Sequence, residues 1–166
     1  MTSTQTTIRP VEPRDLAAIC RHRRNMFAAN NVANAILDQM DAPFAAWLAP
    51  RLASGEYFGF VAEDHDAIIA GVGLFVINWP PHPSHPTATQ RGYILNVYVE
   101  PSHRSQGLSA ELMRRAEEEF QSRGITYIVL HASAMGRPVY EKLGWTSTSE
   151  MSKFFPGNTI TNGCCS

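Results

Sequence analysis

Tyr93-Ile94-Leu95-Asn96-Val97-Tyr98-Val99-Glu100-Pro101-Ser102-His103-Arg104-Ser105-Gln106-Gly107-Leu108-Ser109 is the stretch on which the reading of this chain turns. Its first seven residues are nearly continuously apolar, as expected for a strand covered on both faces and therefore placed mid-sheet. Leu108, Leu112, Met113, Ala116 and Phe120 then mark one face of a helix, with Glu111 and Arg115, and Arg114 and Glu118, one turn apart. A strand that feeds a helix through such a turn aims several unpaired backbone N–H groups at one spot. The helix start adds partial positive charge and Arg104 a full one, which equips the turn for a phosphate or pyrophosphate. Gly107 lets the backbone approach such a ligand. One arginine and one glycine in a strand-to-helix turn also fit an ordinary surface turn. No G-x-x-x-x-G-K-[ST] and no G-x-G-x-x-G occurs, which disfavours a P-loop kinase and a dinucleotide oxidoreductase.

Upstream, Ile8 to Val11 reads as a short strand. Glu12-Pro13-Arg14-Asp15 opens a helix in which Leu16, Ile19, Cys20 and Phe27 repeat at helical spacing, ending near Asn30-Asn31. A second helical stretch runs from about Ala33 to Leu52, with a break expected near Pro43 and a stop at Ser54-Gly55. The period then changes: Tyr57 to Ala62 and Ile68 to Ile77 read as strands joined by a hairpin turn at Glu63 to Asp66. Trp79 to Pro86 holds four prolines, which forbid helix and interior strand, so it is a loop. Downstream, Gly124 ends the long helix, Ile125 to Leu130 reads as a buried strand, and Pro138 to Leu143 as a short helix closed by Gly144. Trp145 to Phe155 reads as a final strand.

Composition bounds the rest. At 166 residues and 44% apolar, the chain suits one compact domain, residues 8–155, between a flexible start at 1–7 and a tail at 156–166. A formal net charge of −1 lacks the basic excess of a nucleic-acid binder. No apolar run approaches the ~20 residues needed to cross a bilayer, and Met1 to Thr7 does not read as a secretory signal, so a cytoplasmic protein is expected. Cys20 sits at an apolar helix position and reads as a small buried hydrophobe, while Cys164 and Cys165 belong to the tail.

Arg104-Ser105-Gln106-Gly107-Leu108-Ser109 resembles the [Q/R]-x-x-G-x-[G/A] pattern of the GNAT superfamily, the GCN5-related N-acetyltransferases, with serine at the final small position. Asn96-Val97-Tyr98-Val99-Glu100-Pro101 upstream and His131 to Trp145 downstream resemble the same family in the right order. The resemblance implies an α+β sandwich. Its central mixed, mostly antiparallel sheet would have six to seven strands, with a splayed parallel pair formed by the fourth and fifth and about four flanking helices. It also implies acetyl-CoA as co-substrate: backbone groups of Val97, Tyr98 and Val99 along the pantetheine arm, and amides from Arg104 through Ser105, Gln106, Gly107 and Leu108 to Ser109 on the pyrophosphate. The Val97 amide would face the thioester oxygen, whose negative charge grows as an amine attacks.

Direct transfer to an amine leaves two proton tasks. Tyr140 matches the family tyrosine that serves the departing sulfur; the alternative is a packing aromatic. No carboxylate stands near Tyr93, where some members carry a base. His131 has suitable acidity but also suits a structural role, Glu100 is a similar case, and Asn96 can orient without accepting a proton. A water chain would remove the need for a single base. Two histidines in a proline loop, His82 and His85, lack further ligands at metal spacing, so no metal is expected. Met26, Phe27, Asn30, Asn31, Trp47, Tyr93 and the Trp79 loop form the expected acceptor zone, although the aromatics could equally be core or dimer contacts. The expected acceptor is a small-molecule amine. A peptide or protein acceptor, and a silent acyl-CoA sensor, are the alternatives, and a homodimer is left open.

Overall fold

The computed structural model describes residues 6–155. The first five residues and the tail with Cys164 and Cys165 lie outside them; Thr7, expected in a flexible start, opens the first strand. Among the described residues five strands form one sheet in chain order: β1 (Thr7–Pro10), β2 (Phe58–Asp64), β3 (Ala67–Asn78), β4 (Gln90–Val99) and β5 (Ile128–Leu130). All neighbours are antiparallel except β4 and β5, which are parallel. Four helices complete the α+β fold: α1 (Leu16–Ala29), α2 (Asn34–Ser54), α3 (Leu108–Ser122) and α4 (Arg137–Lys142).

The sheet is a layer between two cores. Leu112, Met113, Ala116 and Phe120 of α3 pack against Ala70, Val72, Leu74 and Ile94. On the other face Ile19, Phe44, Leu48, Leu52 and Tyr57 cluster with Leu95. Each buried Val, Leu, Ile, Met or Phe among them contributes about 1.5–3 kcal/mol of apolar burial. The two-residue turn His65-Asp66 carries positive φ at both positions (48° and 63°), the geometry whose twist matches that of paired strands. Arg9 of β1 forks onto Asp15 at 2.8 Å and reaches Glu63 of β2 at 2.5 Å, tying the first helix to the sheet edge.

Three expectations need correction. The sheet has five strands among the described residues, not six to seven, because Trp145 to Phe155 forms no strand; Met151 and Phe155 there are 93% and 71% exposed. The fifth strand is only Ile128–Leu130: Ile125 is buried, but below the first β4 pairing, so burial accounts for its apolar character without a ladder. The helix of Ala33 to Leu52 is not broken at Pro43. It runs continuously through Pro43 and Pro50. Both prolines are exposed and seven residues apart, so the carbonyls they leave unpaired face water, while Leu37, Phe44, Leu48 and Leu52 hold the opposite stripe in the core.

Candidate active site

The site is built around a defect in β4. Gly73 pairs with Leu95 and Gly71 with Tyr98, so β4 carries one extra residue, and Asn96 takes a left-handed backbone at φ 54°. Asparagine tolerates that conformation better than most residues. Two consequences follow. Leu95 and Asn96 both lie on the face covered by α1 and α2, and the phase of the backbone reverses. Before the bulge the Gly92 amide donates to Tyr127 on the β5 side at 2.9 Å; beyond it the Glu100 amide donates to Ile69 on the β3 side at 2.8 Å. With backbone direction alternating at every residue, Val97 and Val99 turn their main-chain groups toward β5. Pairing with β5, however, ends at Ile94 and Leu130. From Leu95 to Val99 the strand therefore lines an unlaced edge, where a buried polar backbone needs a partner. Tyr98 is taken up elsewhere: its ring packs on His22 with centroids 4.8 Å apart, and its hydroxyl donates to Glu100 at 3.2 Å.

β4 delivers the chain into the exposed turn that precedes α3. Ser105 and Gly107 have φ of 60° and 80°, and a Cβ built on Gly107 meets no atom within 4 Å. The first described hydrogen bond from this helix start is that of the Glu111 amide to the Gly107 carbonyl, 3.1 Å. Main-chain donors of Ser105, Gln106, Gly107, Leu108 and Ser109 have no acceptor among the described residues, and no side chain caps the helix. Arg104 folds back, its Nε donating to the Val99 carbonyl at 3.0 Å.

The opposite wall is made of side chains. Asn96, buried, donates through Nδ2 to the Tyr57 hydroxyl at 3.0 Å and accepts at Oδ1 from Arg23 Nη1 at 2.6 Å. Burial pushes the Tyr57 phenol up to about 12. Gly73 makes this arrangement fit, since a Cβ there would lie 2.0 Å from the Tyr57 hydroxyl. Of the expected acceptor zone, Phe27 lies beside the Arg23 guanidinium, 4.9 Å from ring centroid to Cζ. Asn30 caps α1 by donating to the Met26 carbonyl at 2.8 Å, and Asn31 follows it in a left-handed turn. Trp47 stacks on Phe44 and meets Tyr57 and Phe75 edge-on, so packing occupies much of its surface.

Tyr93 is half-buried on the same face, and its hydroxyl is hydrogen-bonded to His131 Nδ1. Burial, and then the Glu150 carboxylate, push the phenol up, so Tyr93 is the donor. His131 Nε2 donates in turn to Glu150 Oε1 at 3.1 Å. Tyr140 packs against the α3 core and the Trp145 ring, and burial pushes its phenol up to about 12. Its hydroxyl has no hydrogen-bond partner among the described residues. Trp79, 42% exposed, is covered by Arg91, which also bonds the buried His85. The proline loop is thus braced internally rather than open. Among the described residues no group of three or more His, Cys, Asp or Glu is placed to hold a metal ion, and no helix is long and apolar enough to cross a membrane.

Three residues at this site escaped the sequence reading. Arg23 falls on the apolar stripe of α1, between Ile19 and Phe27, and a cation at that position was the available signal. Tyr57 looked like an ordinary strand residue. Glu150 was assigned to a strand, and nothing local distinguishes it.

The chain matches the acetyltransferase (GNAT) family over residues 20–145. No curated protein matches it. Among solved structures it is similar to a GCN5-related N-acetyltransferase from Ralstonia eutropha JMP134, with 52% identity and a TM-score of 0.90, covering 92% of this chain and 100% of that one. It is also similar to a predicted acetyltransferase with acetyl-CoA from Clostridium acetobutylicum, with 28% identity and a TM-score of 0.83 over 91% and 96% of the two chains. Glucosamine-6-phosphate N-acetyltransferase from Arabidopsis thaliana, at 19% identity and a TM-score of 0.63 over 91% and 99%, shares the fold alone. The family match spans both the bulged strand and the turn before α3, and on that ground the chain belongs to the GNAT family of acetyltransferases.

Proposed function

We propose that residues 8–155 form a single N-acetyltransferase domain that moves an acetyl group from acetyl-CoA to the amine of a small molecule by direct attack. The observation that carries the reading is the unlaced β4 edge from Leu95 to Val99 running straight into a turn of unused amides. An extended amide-bearing tether fits the first and a pyrophosphate the second. Acetyl-CoA supplies an activated acyl group on sulfur; everything else falls to this chain. Val97 and Val99 bind the tether through their main chain, and Ser105 to Ser109 hold the pyrophosphate through their amides. The Val97 amide donates to the thioester oxygen as its charge grows, a role for which a preorganised donor is worth several kcal/mol.

Tyr93 and His131 remove the proton from the attacking nitrogen. As the Tyr93 oxygen accepts that proton, its own passes to His131 Nδ1, and the resulting imidazolium faces Glu150 before releasing the proton to solvent. Tyr140, protonated at neutral pH, donates to the departing sulfur, and the thioester's C–S bond breaks as the C–N bond forms. The test is a broad amine panel with acetyl-CoA, followed by thiol release and by mass spectrometry of the acceptor. Equal amounts of free thiol and N-acetylated product are expected. Absence of both, together with no heat of association for coenzyme A or its acylated forms, would overturn the reading.

A further inference from the structure

Arg9 and Arg23 are both packed into the protein, and their partners differ. Arg9 is neutralised by two carboxylates, Asp15 and Glu63. Arg23 makes no ion pair with any described residue. Its Nη1 bonds a neutral amide, Asn96, and its plane lies against the Phe44 and Phe27 rings at 4.4 Å and 4.9 Å. Its Nε is buried without a hydrogen-bond partner. Burial works against its charge, and besides Asn96 the described groups that favour it are the Tyr57 and Tyr93 phenols and the Cys20 thiol, none of them a carboxylate. A guanidinium stays protonated in proteins, so this is a retained cation with spare donors and no counter-ion, an arrangement that stability alone disfavours. It is also partly open to solvent.

Its place gives the missing counter-ion a meaning. Asn96 is fixed on its far side by Tyr57 and is followed directly by Val97, while Tyr93, on the same face, leads to His131. Arg23 therefore shares one face of β4 with the Tyr93 hydroxyl and holds the side chain of the residue just before the Val97 amide. We infer that Arg23, held by Asn96, binds an anionic oxygen group carried by the acceptor itself, so that the substrate is an amine bearing a carboxylate or a phosphate.

This rests on the acetyl-transfer reading above, and the experiment separates the two. L-alanine, β-alanine and L-phenylalanine are compared with their carboxamides, and O-phosphoethanolamine provides the phosphate arm, each with acetyl-CoA and with the wild type, Arg23→Gln and Arg23→Lys. At least one anionic acceptor should exceed its neutral counterpart by about 10- to 100-fold in kcat/KM, the scale of a charge-assisted hydrogen bond. Arg23→Gln should erase that ratio, and Arg23→Lys should restore part of it. In parallel, the Arg23 Nε–H resonance of ¹⁵N-labelled wild type, saturated with coenzyme A, is followed during titration with propionate and with inorganic phosphate. Saturable movement with one of them names the anion. This arm needs no variant to fold, and unaltered acetyl-CoA affinity certifies the variants that do. Equal rates for charged and neutral amines with a static Arg23 resonance would overturn the inference while leaving acetyl transfer intact. A moving resonance with no amine acetylated would keep the anion site and remove the acceptor reading.

Discussion

The two sides of the β4 cleft are built from different materials. On one side, from Val97 and Val99 to the turn before α3, the available groups are main-chain amides and carbonyls, and the turn's side chains are exposed. On the other, Arg23 of α1, Asn96 and Tyr93 of β4, Tyr57 just ahead of β2 and His131 just past β5 are linked by side-chain hydrogen bonds. A ligand read by backbone demands geometry and little sequence. A ligand read by side chains demands particular residues from distant parts of the chain.

Substitutions that respect this division should have separable effects. The largest is expected on the side-chain wall: Tyr93→Phe or His131→Gln should lower kcat by about 10²-fold or more, the range of general base catalysis, while acetyl-CoA affinity measured by calorimetry stays unchanged. Equal turnover in either variant, with chemistry rate-limiting, would remove the relay. Next, Tyr140→Phe should lower kcat by roughly 10- to 100-fold, at or below the low end for general acid catalysis, again sparing cofactor affinity. Because burial holds the Tyr140 phenol up to about 12, the wild type keeps this proton donor across neutral and moderately alkaline pH; an alkaline limb that disappears in Tyr140→Phe near pH 8 would contradict that.

On the backbone side the signature inverts. Gly107→Val forces a β-branched residue to φ 80°, which costs about 1–2 kcal/mol, so acetyl-CoA should bind roughly 10-fold more weakly. Gly107→Asn, which tolerates that backbone, should lose less. Equal losses for the two would locate the effect in lost space rather than in the backbone.

The smallest effect concerns stability. Burial first, and then Arg21, depress the pKa of His22, with Glu100 opposing them. The unfolded chain therefore takes up this proton more readily than the folded one. The contribution of His22 is complete above its unfolded value of ~6.5 and erodes as pH falls below it. Urea midpoints between pH 8 and pH 5 should decline more in the wild type than in His22→Gln; parallel curves would show that His22 does not titrate this way.

Much of the fold was open to inspection in one dimension. The helical stripe from Leu108 to Phe120 and the apolar run from Tyr93 to Val99 each depend on neighbours along the chain and stand where the periodicity places them, while the turn expected at Glu63 to Asp66 narrows to His65-Asp66 because Glu63 and Asp64 pair with β3. The errors arose where local preference met distant packing. Pro43 should break a helix, yet α2 continues through it because a full stripe of core residues holds the helix on its other side. Trp145 to Phe155 has the residues of a strand but no partner among the described residues, and a strand without a ladder is not one.

By itself the order of residues determined the family resemblance and the exposed turn between β4 and α3, because a strand, a glycine and a helix start act through contiguous backbone. Only the tertiary structure decided that Arg23 and Asn96, 73 positions apart, would be hydrogen-bonded, and that His131 would stand between Tyr93 and Glu150. Those contacts carry no local pattern. They exist because the bulge at Asn96 turns that side chain onto the α1 and α2 face and because β5 lies parallel to β4, and both are properties of the assembled sheet.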